Sequence, residues 1–238
     1  IIGYDKVKVA SLPEKDPCDV LIKHGSAMLM NCIFDARTFS PAGVVKGEAI
    51  WEQFMRKKET NSLPYPECLK TLNDKLHGLR LGEIVLFTSG TGSGKSTVIK
   101  EIVLEILAKT TDMIGMVSLE ESIGDSAEKF IGMQLRKNLT TNKVTEEEMY
   151  AAHQQVFGDE RLVLLDHQGS VGDESLIDKL EHLALMGCKY IILDHITIAV
   201  SEGAKGRTGN EAVDSVMSDL LKICKKHNAW LGVVSHLR

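Results

Sequence analysis

A glycine-rich stretch near the middle of the chain has the residue types that bind phosphate groups. Glycines let a backbone wrap closely around phosphates, and successive backbone N–H groups at a helix N-terminus attract their negative charge. In such a loop the Lys95 amine reaches the β- and γ-phosphates, and the Ser96 hydroxyl ligates Mg²⁺. The sequence therefore predicts a site for a nucleoside triphosphate, although Ser89 stands where the strict pattern has glycine. The predicted nucleotide-binding residues are Ser89, Gly90, Thr91, Gly92, Ser93, Gly94, Lys95, Ser96 and Thr97.

Acidic positions elsewhere in the chain fit the rest of a hydrolytic site. Asp194 ends the apolar run 190–193, where a carboxylate can hold Mg²⁺ through its water shell. Glu120 and Glu121 follow the strand that comes after the glycine-rich loop and its helix. A glutamate there can orient and deprotonate the attacking water from the tip of a neighbouring strand. We favour Glu120 as this base, with Glu121 as the alternative. The competing interpretation is that the two acidic residues only complement the positive end of a helix dipole.

His236 is the last candidate of this group. It follows the apolar run 231–235, and a polar residue at the carboxyl tip of a strand in an α/β sheet faces the ligand crevice. We predict that His236 bonds the γ-phosphate and senses its loss. Taken alone, a capping or surface histidine is the simpler interpretation, but the other motifs, found in order, favour the functional one.

Short apolar runs alternate with helical patterns after residue 82, and these elements must position the polar side chains. Buried parallel strands read as continuous apolar runs, and each needs a crossover helix before the next. The sequence therefore predicts an α/β fold with a mostly parallel sheet covered on both faces. The predicted strands are 83–88, 113–118, 162–165, 189–194 and 229–235, and the predicted helices are 96–109, 122–136, 174–186 and 210–227.

The first part of the chain has a different pattern. Residues 11–45 are loop-rich with one short helical stretch, and residues 48–58 have the pattern of an amphipathic helix. Residues 60–66 hold two prolines and mark a linker. The apolar stripe of the helix consists of Ile50, Trp51, Phe54 and Met55.

Composition excludes several classes of protein. With 43% apolar and 26% charged residues in 238, the chain can bury a core, which excludes a disordered or disulfide-scaffold protein. The five cysteines are scattered, without zinc spacing. No apolar run approaches the roughly 20 residues that span a bilayer, so we expect no membrane partner. A net charge of −5 argues against a broad basic surface for nucleic acid, but leaves binding by a few loop residues open.

In order and spacing, these motifs resemble the RecA-like hexameric replicative helicases, and among them the primase-helicases of T-odd bacteriophages and their mitochondrial relatives. The likeness lies in residues 88–97, 119–122, 191–197 and 233–237. It implies a RecA-like P-loop NTPase core that unwinds duplex DNA by moving 5′–3′ along single-stranded DNA, driven by ATP or dTTP with Mg²⁺. It also implies a hexameric ring, a replisome polymerase as partner, and the cytoplasm of a phage-infected bacterium or, alternatively, a mitochondrial nucleoid.

The resemblance extends upstream and divides the chain into regions. Residues 12–19 are similar to the final acidic motif of the TOPRIM primase fold, with Asp16 at its metal-binding carboxylate, and residues 41–45 to the family's connector. Because no partner carboxylates precede Asp16, we expect no primase activity. The implied domains are a TOPRIM C-terminal remnant over 1–45, a linker with a subunit-docking helix over 46–66, and a C-terminally incomplete RecA-like helicase domain over 67–238.

The resemblance implies binding roles for two segments of the chain, the helix 48–58 and the residues 201–210. The apolar stripe of helix 48–58, which could otherwise pack on its own core, would dock on the neighbouring subunit of a head-to-tail ring. Residues 201–210 would form a channel loop in which Lys205 and Arg207 contact the backbone of single-stranded DNA. A solvated loop with two charges is an equally good interpretation of that segment.

Alternatives to a helicase motor stay open. A recombinase-type or regulatory RecA-like ATPase has the same core but needs neither a TOPRIM-like tail nor a docking helix. A nucleotide kinase needs several arginines over the transferred phosphoryl group, and the chain has only Arg136 and Arg161 between the glycine-rich loop and Asp194. The last alternative binds Mg–NTP without turnover. Since family members supply an arginine finger beyond the position of Arg238, we expect the isolated segment to hydrolyse nucleotide weakly.

Overall fold

The computed structural model describes residues 7–38, 45, 47–59, 62–166, 175–197, 200 and 209–236. The chain divides into two compact units, Ile1–Glu59 and Thr60–Arg238. The division falls inside the predicted linker 46–66, whereas the assignment of three domains stays a prediction. Within the described part of the chain, no helix has both the length and the apolarity to cross a membrane.

The described residues of the first unit form two short strands and two helices: β1 (Lys8–Val9), α1 (Pro17–Phe34), β2 (Arg37–Thr38) and α2 (Glu48–Glu59). The strands β1 and β2 pair antiparallel. The helix α2 lies where the sequence predicts an amphipathic helix.

The helix α1 is longer than the short helical stretch that the sequence indicates. The Asp16 carboxylate accepts a hydrogen bond from the Asp19 backbone N–H at 2.9 Å, and Pro17 presets the first helical φ. Gly25, with a φ of 80°, interrupts the helix, which explains why the sequence shows no continuous helical pattern. Asp16 is therefore a helix N-cap here, and the TOPRIM remnant stays a prediction.

The second unit is a parallel sheet between layers of helices. Its strands are β3 (Ile84–Ser89), β4 (Met113–Ser118), β5 (Leu162–Asp166), β6 (Cys188–Asp194) and β7 (Trp230–His236). Its helices are α3 (Lys70–Leu76), α4 (Lys95–Lys109), α5 (Ile123–Leu135), α6 (Glu146–Phe157), α7 (Leu176–Leu185) and α8 (Gly209–His227). The strands run parallel in the order β3-β7-β6-β4-β5. The predicted α/β class is confirmed, and the predicted elements match to within a residue or two at most ends.

Alternate residues of each strand face opposite layers, and this divides the core in two. Tyr190 and Ile192 of β6 pack on the side of α4. Ile191 and Leu193 of the same strand pack on the side of α7 and α8. The helix α4 buries one whole face, so its N-terminus is held beside the carboxyl end of β3. The buried apolar residues of that face include Ile99, Ile102, Val103 and Ile106.

The sheet order and one helix depart from the sequence interpretation. The strand β4 does not lie next to β3, because β7 and β6 lie between them. The expectation that the base comes from the strand next to β3 is therefore wrong. The hydropathy pattern of a sequence does not show how many strands a crossover connection passes. The sequence interpretation also misses α6. Thr145 and Glu148 form a capping box there, a T-x-x-E pattern that could have indicated its start.

Gly115 of β4 provides a test of this packing. A Cβ at this position would lie 2.9 Å from Leu183 Cδ1, and Leu183 of α7 is itself buried. We expect Gly115→Ala to lower the free energy of unfolding by about 1–3 kcal/mol, because the core must shift to admit the methyl group. Gly124→Ala is the matched control, since its Cβ would meet only Ser122 Oγ at 3.7 Å. Urea denaturation measures both, and a wild-type value for Gly115→Ala would contradict the packing.

Candidate nucleotide-binding site

The loop between β3 and α4 has the shape that a phosphate group needs. Gly92 and Gly94 have φ values of 76° and 89°, in the left-handed region that glycine adopts without strain. A Cβ at Gly90, Gly92 or Gly94 would meet no atom within 4 Å, so the space around these glycines is open. Gly94 precedes α4, and no side chain of the described residues caps this end. The first N–H groups of α4 are thus available to an anion.

The Lys95 amine folds back onto this loop. Its Nζ donates to the carbonyl oxygens of Ser89 and Gly90 at 2.9 and 2.8 Å. These bonds keep the positive charge within the loop without neutralising it. An incoming phosphate can therefore replace contacts to neutral carbonyls with a stronger, charge-assisted bond.

Ser89, the departure from the strict glycine pattern, braces the loop. The Ser93 hydroxyl donates to the Gly90 carbonyl oxygen at 2.8 Å, so the bond between the two serine hydroxyls is donated by Ser89. A glycine at position 89 would lack this bond. The serine is thus compatible with the phosphate-binding shape and adds a link across the loop.

Asp194 and Glu120 come from neighbouring strands. Asp194 closes β6 with 8% of its surface exposed, and Ser118 closes β4 in register with it. The Leu119 N–H donates to the Asp194 carbonyl oxygen at 2.7 Å, so the chain beyond β4 stays bonded to β6. The Glu120 side chain is 60% exposed, and its Oε1 lies 3.6 Å from His195 Nε2. The predicted metal ligand and the predicted base therefore emerge from adjacent strand tips.

Glu121 lies in a different environment from Glu120. Its side chain is 18% exposed and accepts hydrogen bonds from Lys100, at 3.0 Å, and from Lys129 and Ser126. Burial raises the pKa of Glu121, but the hydrogen bonds from Lys129 and Lys100 outweigh it and hold the pKa below the ordinary value of a glutamate. Because Glu121 lies between two lysines at 18% exposure and the Glu120 side chain is 60% exposed, Glu120 is the better placed to meet a ligand. Its role as the base stays a prediction.

The other predicted site residues differ in how far the structure places them. His236 ends β7 in register with Ser89, so its backbone lies beside the start of the glycine-rich loop. Ser96 and Thr97 lie in the first turn of α4. Lys205 and Arg207 lie outside the described residues. The structure thus brings the loop, the backbone of His236 and Asp194 to one edge of the sheet, on consecutive strands.

Sequence reasoning missed Lys100 and His195. Lys100 is buried on the apolar face of α4, beside Ile99 and Ile102. A lysine within an apolar helical stripe is the signal that could have found it. His195 follows Asp194 at a strand tip, so the criterion that selected His236 applies to it equally.

No protein-family model matches this chain. The chain is 29% identical to the DNA helicase/primase of Enterobacteria phage T3, in an alignment of 248 residues that covers all of this chain and 44% of that protein. It therefore spans less than half the length of the curated relative. One solved ATPase domain shares its fold with a TM-score of 0.61 at 13% identity, over 82% of this chain and 72% of that one.

A DnaB-like replicative helicase, solved to show its interactions with primase, also has a TM-score of 0.61, at 15% identity, over 92% of this chain and 55% of that one. The chain therefore shares the fold of these two solved structures. This shared fold confirms the predicted RecA-like fold class, and the similarity to the phage protein along the whole chain confirms the resemblance to primase-helicases. In this RecA-like domain the edge that carries the glycine-rich loop, Asp194 and Glu120 is the candidate nucleotide site.

The ion pairs of Glu121 predict a pH-dependent contribution to stability. The pKa of Glu121 is lower in the folded chain than in the unfolded chain. The contribution is therefore complete above the pKa in the unfolded chain, about 4.3, and is lost as the pH falls through the pKa in the folded chain. We expect the difference in unfolding free energy between wild type and Glu121→Gln to be largest above about pH 5 and to shrink below about pH 4. Urea denaturation over this range measures it.

Glu128→Gln is the control for that series, since Glu128 is an exposed glutamate of α5, the helix that begins two residues after Glu121. It should change the unfolding free energy by less than about 0.5 kcal/mol at neutral pH. A difference between wild type and Glu121→Gln that stays constant down to acid pH would contradict the ion-pair account.

Proposed function

We propose that this chain carries the nucleotide-hydrolysing motor of a replicative DNA helicase. The observation that carries the proposal is the convergence at one sheet edge of the loop with Lys95, after β3, and of Asp194 and Glu120 at the tips of β6 and β4. The similarity to a phage DNA helicase/primase along the whole chain favours a helicase over a recombinase-type or regulatory ATPase.

The residues of the site divide the tasks of phosphoryl transfer among them. Lys95 and the first N–H groups of α4 bind the phosphates. The Ser96 hydroxyl and the Asp194 carboxylate are oxygen donors of the kind that Mg²⁺ prefers, and they would hold it beside the open loop. Mg²⁺, when bound, neutralises charge on the β- and γ-phosphate oxygens. Glu120 orients the attacking water and takes up its proton.

Further steps of the proposal depend on residues near the site and on the ring. His236 contacts the γ-phosphate and transmits the loss of this contact after hydrolysis to the rest of the chain. Lys205 and Arg207 grip the backbone of single-stranded DNA, and hydrolysis moves the chain 5′–3′ along it. ATP and dTTP are the candidate nucleotides, a replisome polymerase is the candidate partner, and a phage-infected bacterium or a mitochondrion is the setting.

The helix α2 supplies the contact between subunits in this proposal. Trp51 and Phe54 are exposed, and their ring centroids lie 5.4 Å apart. Ile50 and Met55 are exposed beside them. An exposed apolar stripe of this kind is suited to insertion into a neighbouring copy of the chain in a hexameric ring.

Two substitutions separate nucleotide binding from chemistry. We expect Lys95→Ala to weaken Mg–nucleotide binding about 10–100-fold, because a charged hydrogen bond contributes about 1.5–3 kcal/mol. We expect Glu120→Gln to retain affinity and to lower turnover by about 10²–10⁴-fold, because the water loses its base. Titration with a fluorescent nucleotide and release of inorganic phosphate measure the two quantities, with and without single-stranded DNA.

Lys109→Ala, at the exposed far end of α4, is the control and should change neither quantity. Equal loss of binding in Lys95→Ala and Glu120→Gln would assign Glu120 a structural role. Binding by the wild type without any turnover, even with single-stranded DNA, would favour the nucleotide-binding alternative. Stimulation by single-stranded DNA would separate a helicase motor from a regulatory ATPase.

The ring makes a prediction of its own. We expect Phe54→Ala to shift the chain from a ring to smaller species in sedimentation velocity with Mg–ATP or Mg–dTTP, because α2 loses an aromatic anchor. Phe34→Ala on α1 is the matched control, since Phe34 is 77% exposed and lies outside the proposed docking stripe. A wild-type chain that stays monomeric with both nucleotides, or rings unaffected by Phe54→Ala, would contradict the docking role.

A further inference from the structure

A buried lysine ties the start of α4 to the segment that carries Glu120. Lys100 lies one helical turn after Ser96, on the same face of α4. Its side chain is 1% exposed, and its Nζ lies 3.0 Å from Glu121 Oε2 and 5.8 Å from the centre of the Phe130 ring. It is the only lysine in the core formed by the described residues. A buried ammonium is costly without a charged partner, so Lys100 fixes the place of Glu121.

The segment around Glu120 is anchored on both sides. Leu119 is bonded to β6 through the Asp194 carbonyl oxygen, at 2.7 Å. The Glu121 carboxylate bonds to one lysine from α4 and to another from α5. Ser122 caps the start of α5 by accepting a backbone N–H. Between these anchors the Glu120 side chain is 60% exposed, so a fixed backbone presents a side chain that ligands can reach.

We propose that Lys100 and Glu121 are positioning residues for hydrolysis, whose ion pair fixes Glu120 relative to the phosphate-binding loop. The proposal rests on the proposed role of Glu120 as the base. Because Ser96 and Lys100 share one face of one helix, the pair links the phosphate end of α4 to the segment of Glu120. Such a link matters because displacement of a reacting group by about 1 Å costs about 100-fold in rate.

An ion pair that only stabilises the fold leads to a different expectation. Replacement of a buried pair by apolar residues of similar size often preserves or raises stability. If stability alone matters, such a double variant hydrolyses nucleotide normally once it folds. If the pair positions Glu120, the double variant regains stability but not rate, because apolar contacts lack the directional bonds that orient residues 119–122.

The experiment compares Lys100→Met, the double variant Lys100→Met/Glu121→Leu, and the control Lys109→Met. The control removes the exposed Lys109, which forms an i,i+4 ion pair with Glu105 at the other end of α4. Unfolding free energy, Kd for Mg–ATP and Mg–dTTP, and single-turnover hydrolysis are measured on the whole chain. We expect the double variant to keep the wild-type Kd while its hydrolysis rate falls about 10–100-fold, and Lys109→Met to match the wild type.

A Glu120→Gln background shows whether the effect passes through Glu120. In that background the double replacement should have no further effect on rate, because the group that it positions is already absent. A further fall of the same size would overturn the proposal. Recovery of rate together with stability in the double variant would overturn it as well.

Hydrogen exchange gives a readout that needs no turnover. We expect the backbone amides of residues 119–122 to exchange faster in the double variant, while the amides of β4 and β6 keep their protection. Unchanged exchange at 119–122 would overturn the proposal even if the rate fell. The proposed function fails separately, if Glu120→Gln hydrolyses nucleotide at the wild-type rate or if the wild type binds no nucleotide.

Discussion

Packing of α4 against the sheet is the interaction on which the candidate nucleotide site depends. A whole face of the helix is buried, and each fully buried Ile or Val contributes about 1.5–3 kcal/mol, so the helix cannot slide or rotate without a large loss. Lys95 and Ser96 are therefore held beside the carboxyl end of β3. The glycine-rich loop has only to close the gap between strand and helix, which it does with two left-handed glycines and a bond between two serines.

Two lysines of α4 differ in burial and in the groups that they contact. Lys95 bonds to neutral carbonyl oxygens, so its charge stays available to an anion. Lys100, one helical turn from Ser96, bonds to the Glu121 carboxylate, so its charge is neutralised inside the core. The same residue type thus offers its charge to an anion in one place and links two elements in the other. A net charge of −5 for the chain is compatible with such local use of positive charge.

The described residues of the first unit bury far fewer apolar side chains than those of the second unit. Among its described residues, Val20 is the only apolar side chain in the core, whereas Trp51 and Phe54 of α2 are exposed. Exposed apolar stripes of this extent are typical of surfaces that bind another protein surface. Asp16 and Pro17 stabilise the start of α1 by local interactions, through an N-cap hydrogen bond and a preset φ.

The sequence by itself determined the glycine-rich loop between a strand and a helix, the alternation of strands and helices, and the placing of Asp194 at a strand tip. These are local properties, because glycine spacing and apolar runs are legible within a few residues. Only the tertiary structure decided that β7 and β6 lie between β3 and β4, and that Glu121 lies between Lys100 and Lys129 while the Glu120 side chain is 60% exposed. Strand order and the partner of a buried lysine depend on contacts between residues that are distant in the chain. Two adjacent glutamates with the same chemistry therefore acquire different environments only when the helices α4 and α5 pack around one of them.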